Sequence, residues 1–406
     1  MARLERIVER LELKEFQLRT LLDVSKAINN NVDRDELLRL FEGIVREELG
    51  ITRLSLFERA GGWSRILSYG GSTEPELDAG RLMAGFSDIQ TIASGADAGL
   101  AAFDVAVPVF HRDQPLALLL IGDIDEEEQR MSPVVRHLNF IQTLANLVVV
   151  ALENRRMAEQ QLQQERDKRD LELGAQMQQM LVPRELPRTA LLEAAAWYQP
   201  HRHIGGDYYD LLPLGDERHL LCVADVSGKG IAAALLMSNF QATLRASQGK
   251  ADDLEGLVRH LNERVFASAR GERFITLFIA VADLRARTLR FVNAGHNDPL
   301  LHIAGRIAPL HDGSIALGMM PALPFLRMGE AAIPAGSTLL SYTDGLVEQE
   351  DAHGNAFGEA PLERALGDLA QAGPAAVNDA VIAAFEAHRG SQHYLDDLAL
   401  LTCRFR

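Results

Sequence analysis

The chain has 406 residues, 47% hydrophobic and 24% charged, a balance that excludes a disordered chain and a length that exceeds what one core usually serves. Its 41 basic against 57 acidic residues leave a net charge of −16, a field that repels polyanions and argues against nucleic acid as a partner. Cys222 and Cys403 are the two cysteines, too few for a disulfide framework or a thiolate metal site, and neither opens a Cys-x5-Arg phosphatase loop.

The opening MARLERIVERLELKEF alternates charge with apolar residues and lacks the apolar centre of a secretory signal. The longest apolar runs, 116–121 and 147–152, fall far short of the ~20 residues that span a bilayer. A cytoplasmic protein with no membrane partner is expected. Leu4, Val8, Leu11, Leu18 and Leu22 follow a 4-3 spacing broken by Glu15, which predicts a helix over 1–19. Its apolar stripe serves either the helix's own domain or a dimer seam.

Residues 20–152 read as two helices and a sheet. Asp33 or Asp35 caps the helix carrying Leu37, Leu38, Phe41 and Ile44. Strands are expected at 53–58 and 64–69 around a Gly61-Gly62 turn, then at 105–110 and 116–122 around a hairpin at 111–115. This order, opening with LLDVSKAINNNVDRDELLRLFEGIVREELGITRLSLFE, resembles a GAF domain, a bacterial sensory module, and the resemblance implies an unknown ligand or protein partner there. The closing VPVFHRDQPLALLLIGD lacks the glycine such domains often place at the last strand.

One long helix is expected from about 136 to 182, apolar at 144–152 and then rich in Gln, Glu and Arg until Pro183 and Pro187 end it. Its stretch 153–182 reads as a helical linker whose heptad positions are poorly apolar, so any coiled coil there is weak. A weak seam suits a signalling connector, and a merely solvated helix fits the same residues. Beyond it, strands at 220–224, 274–281, 288–293, 338–342 and 397–405 alternate with helices at 231–246, 253–267, 361–369 and 377–387, an α+β pattern.

Four aspartates stand at turns beside these strands: Asp207 in GGDYYD, Asp225 in VADVSGKG, Asp344 in YTDGL and Asp396 in LDDLALL. Short carboxylates on rigid strand ends suit a hard divalent cation such as Mg²⁺ or Mn²⁺, and the adjacent glycines let backbone approach an ion closely. Each motif alone is an ordinary turn. DVSGKG is not a P-loop, because Ile231 stands where the hydroxyl residue should follow. His201 and His203, two apart as on one strand face, resemble a metal pair but are read as surface residues.

Taken together, MQQMLVPRELP, IGGDYYDLLPL, LLCVADVSGKGIAAALLMSNF, RFITLFIAVADL, LRFVNAGHNDPLL, ALGM, LLSYTDGLVEQED, FGEAPL and DDLALL resemble the PPM-type protein serine phosphatases of the SpoIIE/RsbU class over about 175–406. The resemblance implies an αββα sandwich at 183–406, joined by the 153–182 linker to the GAF-like α/β domain at 20–152. It also implies two Mn²⁺ or Mg²⁺ ions held by Asp207, Asp225 and the Val226 carbonyl, completed by Asp344 and Asp396, with Asp397 in or just outside the shell. His296 and Lys229 are candidates for contact with substrate, and Gln176, Met180 and Leu181, where the resemblance begins, for a regulatory contact. The implied substrate is a phosphorylated STAS-type anti-sigma factor antagonist, and a homodimer is expected from the two helical seams. A scaffold that binds such a partner without turnover, and a hydrolase of small phosphate esters, are the competing readings.

Overall fold

The computed structural model describes residues 2–70, 79–83, 88–92, 100, 102–111, 114–122, 133–183, 185–201 and 203–406. They fall into two compact units, Met1–Glu165 and Arg166–Arg406. No helix among the described residues is long and apolar enough to cross a membrane.

The first unit opens with α1 (Ala2–Asn29), which runs through the expected boundary at residue 19. Helix α2 (Arg34–Gly43) follows, its N-cap supplied by Asp33, whose carboxylate accepts from Glu36 N at 2.8 Å. Strands β1 (Arg53–Arg59) and β2 (Trp63–Tyr69), the short α3 (Ala79–Met83), β3 (Gln90–Thr91), β4 (Val105–His111) and β5 (Gln114–Gly122) complete the sheet region. The middle of the expected hairpin, Arg112 and Asp113, lies outside the described residues. The antiparallel sheet has the order β2-β1-β5-β4-β3. Period-two alternation sets its faces: Val105, Val107, Val109, Leu119 and Ile121 pack with Phe41 and Ile141, whereas Ala106, Leu118 and Leu120 pack with Phe103 and Met83.

Helix α4 spans Pro133–Gln179. Ile141, Leu144 and Val148 join the first unit's core, and the stretch after residue 153 is almost wholly exposed until Ala175 and Gln178.

In the second unit, β6 (Leu192–Gln199), β7 (Tyr208–Gly215), β8 (Arg218–Val226), α5 (Ile231–Ser247) and α6 (Leu254–Ala269) come first. Then follow β9 (Ile275–Asp283), β10 (Thr288–Ala294), β11 (Leu300–Ile303), β12 (Arg306–Pro309), β13 (Gly313–Ser314) and β14 (Gly329–Ala332). The chain closes with β15 (Thr338–Tyr342), the single-turn α7 (Asp344–Val347), α8 (Ala360–Leu369), α9 (Pro374–Arg389) and β16 (Leu398–Phe405). Strand β6 starts five residues before the expected change at Trp197. Helix α9 starts at Pro374, which needs no N–H at a helix's first position.

One sheet runs β13-β10-β9-β8-β7, with β14 added on β10, and the other β12-β11-β15-β16-β6. Alternate residues of β8 face opposite layers. Leu220, Cys222, Ala224 and Val226 pack with Met237, Phe240, Leu257 and Leu261 of α5 and α6. Leu221 and Val223 instead meet Ala399, Leu401, Cys403 and Phe405 of β16 between the sheets. The far face of β16, Leu398 and Leu400, packs with Leu362, Val377, Val381 and Phe385 of α8 and α9. The result is four layers, helix, sheet, sheet, helix, with three cores. Buried side chains of this size contribute ~1.5–3 kcal/mol each.

Candidate active site

Antiparallel pairing brings the aspartates together. Tyr208 pairs with Ala224 where β7 begins and β8 ends, so Asp207 and Asp225 share one end of the first sheet. Tyr342 pairs with Leu400 where β15 ends and β16 begins, which puts Asp344, Asp396 and Asp397 at the corresponding end of the second. Two polar contacts stitch these ends together. Thr343 Oγ1 donates to Asp207 Oδ2 at 2.7 Å while accepting from Ala399 N at 2.8 Å, and Gly206 N donates to Asp397 Oδ2 at 2.6 Å.

Glycine is required at two of these turns. A Cβ on Gly345 would stand 2.1 Å from the Asp397 carbonyl oxygen, and one on Gly205 would stand 2.6 Å from the Tyr198 hydroxyl and 2.8 Å from the Asp397 carboxyl carbon. Both turns therefore close tightly enough to crowd the carboxylates.

The electrostatics follow from that crowding. Asp207 is 1% exposed; burial pushes its carboxyl well above the usual range, the Asp225 and Asp397 charges push it further, and the Thr343 hydroxyl opposes them. Burial, with the Asp344 charge, raises Asp225 to about 7 against the hydrogen bond it shares with Asp207. Asp344 is raised by burial and by Glu348 and Asp396. Asp397 is raised by burial, while the N–H groups of His201 and Gly206 pull the other way. Asp396 is bridged at 2.7 Å by Lys229 Nζ, which also donates to the Leu395 carbonyl at 2.5 Å.

Among the described residues no three His, Cys, Asp or Glu side chains converge closely enough to hold an ion as they stand. The donor set nonetheless suits a hard divalent cation, because every candidate ligand is an oxygen, and a cation relieves both causes that raise these carboxyls, burial first and mutual repulsion second. The Val226 carbonyl lies in the same space, 3.0 Å from where a Gly206 Cβ would be.

The histidine candidates stand behind these carboxylates. His296 is 7% exposed, with its Nδ1 2.9 Å from Thr276 Oγ1, and burial lowers its pKa to about 4. It is a neutral ring held behind the strand that pairs with Asp225. His201 and His203 follow the end of β6 and are not on a strand, so they form no one-faced pair: His201 Nδ1 donates to the Tyr394 carbonyl at 2.5 Å and its N–H to Asp397, whereas His203 is exposed.

Of the residues near the end of α4, Gln176 and Met180 are exposed and Leu181 is half-buried. The contact with the site comes from Gln178, which sequence reasoning passed over: its buried carboxamide donates from Nε2 to the Gly205 carbonyl and accepts from Gly205 N. Thr343 was also missed as a positioning group, although a hydroxyl immediately before Asp-Gly at a strand end was the available signal. Asp210, the second acid of GGDYYD, is buried in an ion pair with Arg245 at 2.8 Å and takes the Tyr208 hydroxyl. Its role is to tie β7 to α5.

Comparison with known proteins matches residues 215–406 to the SpoIIE family, Stage II sporulation protein E. Protein IcfG of Synechocystis sp. is 29% identical over 225 residues, covering 48% of this chain and 35% of the relative. Phosphoserine phosphatase RsbU of Bacillus subtilis is 25% identical over 188 residues, covering 46% of this chain and 55% of the relative. The chain thus spans between about a third and about half of the curated relatives it matches. Among solved structures, the SiaA-PP2C domain of Pseudomonas aeruginosa shares the fold, with a TM-score of 0.52 at 21% identity over 60% of this chain and 98% of that one. The four layers, the carboxylates gathered at one end and the match over 215–406 agree: residues 215–406 are similar to the SpoIIE family, and the second unit shares its fold with a PP2C domain.

Proposed function

We propose that residues 183–406 hydrolyse phosphoserine or phosphothreonine on a regulatory protein with two Mn²⁺ or Mg²⁺ ions. The observation that carries this reading is the pair of buried Asp207 and half-buried Asp225, facing Asp344 and Asp397 across two sheet ends. Asp207, Asp225 and the Val226 carbonyl would hold the ions, with Asp344 and Asp396 completing the set and Asp397 in or just outside it. When bound, such ions neutralise charge on the phosphoryl group and activate the attacking water. The chain's own work is positioning. Thr343 aims Asp207, Asp397 holds the main chain of Gly206, and Lys229 stands where it can meet an incoming phosphate. His296, buried and bonded to Thr276 opposite Asp225, stays a candidate for contact with substrate.

The substrate class follows from likeness to a phosphoserine phosphatase, and a phosphorylated STAS-type anti-sigma factor antagonist is the proposed partner. The first unit acts in this reading as a GAF-like sensory domain of residues 20–152 with a ligand or protein partner of its own. The 1–19 helix and the 153–182 linker would supply a dimer seam, and the linker's end at Gln176, Met180 and Leu181 would report the sensory state to the site. The Gln178 contact with Gly205 supports that route. Phosphate release from a phosphoserine protein with added Mn²⁺ tests the enzyme reading: activity should need metal, vanish with a chelator, and fall at least about a hundredfold in Asp344→Asn. A folded, metal-loaded wild type inactive on every phosphoprotein would favour the scaffold.

A further inference from the structure

Among the described residues after 183, every exposed large apolar side chain falls within 231–235, 274, 319–328 and 395. Each segment adjoins the acidic end of the sandwich, and the opposite end carries none. Residues 231–235 begin α5 directly after the Asp225 loop, and Leu395 precedes Asp396. Phe274 exchanges two hydrogen bonds with Ser227, two residues past Asp225: its N–H donates to Ser227 Oγ at 2.9 Å and its carbonyl accepts from Ser227 N at 2.9 Å. Beside it Arg273 donates to the Ser227 carbonyl at 2.6 Å, and Leu317 pairs with Ile275 at the start of β9.

The turn that follows Leu317 is built to hold its shape. Asn262 of α6 is 1% exposed; its Oδ1 accepts from Gly318 N at 2.9 Å and its Nδ2 donates to the Met320 and Pro321 carbonyls at 3.1 and 3.3 Å. Met319 and Met320 are thereby presented to solvent at 50% and 46% exposure. Phe325, 52% exposed, is fixed through its carbonyl to Ser314, which pairs with Ala294 at the same end of β10. Methionine and aromatic side chains on a preorganised surface are the composition of a protein-docking patch.

We propose that Phe274, Met319, Met320 and Phe325 form the surface on which the phosphorylated protein docks, through an apolar face beside its phosphoserine, while the phosphoryl group reaches the aspartates. The inference rests on the phosphatase reading above and adds the requirement for a folded protein, since a small phosphate ester gains nothing from such a rim. Continuity of the patch with the loop after Asp225 favours the substrate over a second copy of this chain.

The test compares wild type with the double variant Met319→Asp/Met320→Asp on three probes with Mn²⁺: p-nitrophenyl phosphate, a serine-phosphorylated STAS-domain protein, and a phosphoserine peptide cut from it. Hydrolysis of p-nitrophenyl phosphate reads the metal site alone, so its absence in wild type would sink the phosphatase reading itself. The docking surface predicts that the variant keeps p-nitrophenyl phosphate turnover within about twofold and loses at least about tenfold in kcat/KM on the intact protein, mainly through KM. Equal turnover of the intact protein by wild type and variant would overturn it. So would a wild type no faster on the intact protein than on the peptide. A variant that turned from dimer to monomer in sedimentation, with protein turnover unchanged, would assign the patch to a second copy and overturn it too.

Discussion

The carboxamide of Gln178 brackets the peptide unit of Gly205, with Nε2 2.5 Å from its carbonyl oxygen and Oε1 3.0 Å from its nitrogen. Because Gly206 and Asp207 follow directly, the end of α4 sets where the first acidic loop sits. Two neutral hydrogen bonds contribute about 1–2 kcal/mol together. Gln178→Ala is therefore expected to raise the half-saturating Mn²⁺ concentration about tenfold while leaving kcat at saturating metal nearly unchanged. Gln179→Ala, exposed one residue later, serves as the control in the same metal titration.

Thr343 is the hydroxyl shared between the two sheets. In Thr343→Val, Ala399 N–H would be left buried without its partner and Asp207 would lose its donor, a cost of about 1–3 kcal/mol. Thermal melting should show the loss of stability and a phosphatase assay a fall of roughly tenfold or more in kcat, with Thr343→Ser restoring both.

Lys229 and Asp396 form a partly exposed pair, so solvent screening holds the contact's own contribution to stability to about 1 kcal/mol or less. Its ammonium competes with any cation for the same carboxylate. Lys229→Met is expected to lower the half-saturating Mn²⁺ by about two- to fivefold and to raise KM for p-nitrophenyl phosphate. If both constants stayed put, Lys229 would be a solvated bystander.

His296 gives the pH dependence a sign. Its folded pKa of about 4 lies below the ordinary 6.5, so between those values the unfolded chain binds the extra proton. The stability it contributes is complete above pH ~6.5 and is lost as pH falls toward ~4, up to about 3 kcal/mol. Melting curves from pH 7 to 4.5 should show wild type losing more stability than His296→Gln. Parallel curves would remove His296 from the acid response.

The sandwich was legible wherever period two dominated. The run LLCVADV alternates between two cores, and its strand, Arg218–Val226, extends the expected 220–224 by two residues at either end. Strand β6 was harder to place because LEAAAWYQ is alanine-rich, and its pairing with β16 overrides that weak preference. The aspartates were visible because each stands in a turn motif of its own. Gln178, Thr343 and Asn262 were not, since their partners lie 27, 136 and 56 residues away and no local spacing encodes such meetings. His201 and His203 were drawn together by spacing alone, and the strand that would have aligned them ends at Gln199.

Asp225 ends a strand whose alternate side chains are gripped from opposite sides, by the α5–α6 layer and by β16. Moving that carboxylate along either normal to the sheet would open a void in one packed layer and compress the other, and close-packed interiors resist both. A carboxylate mounted this way has little freedom to adjust. Adjustment must come from Gly205–Asp207 and the loop at Asp396, the parts of the site held by hydrogen bonds instead of by packing.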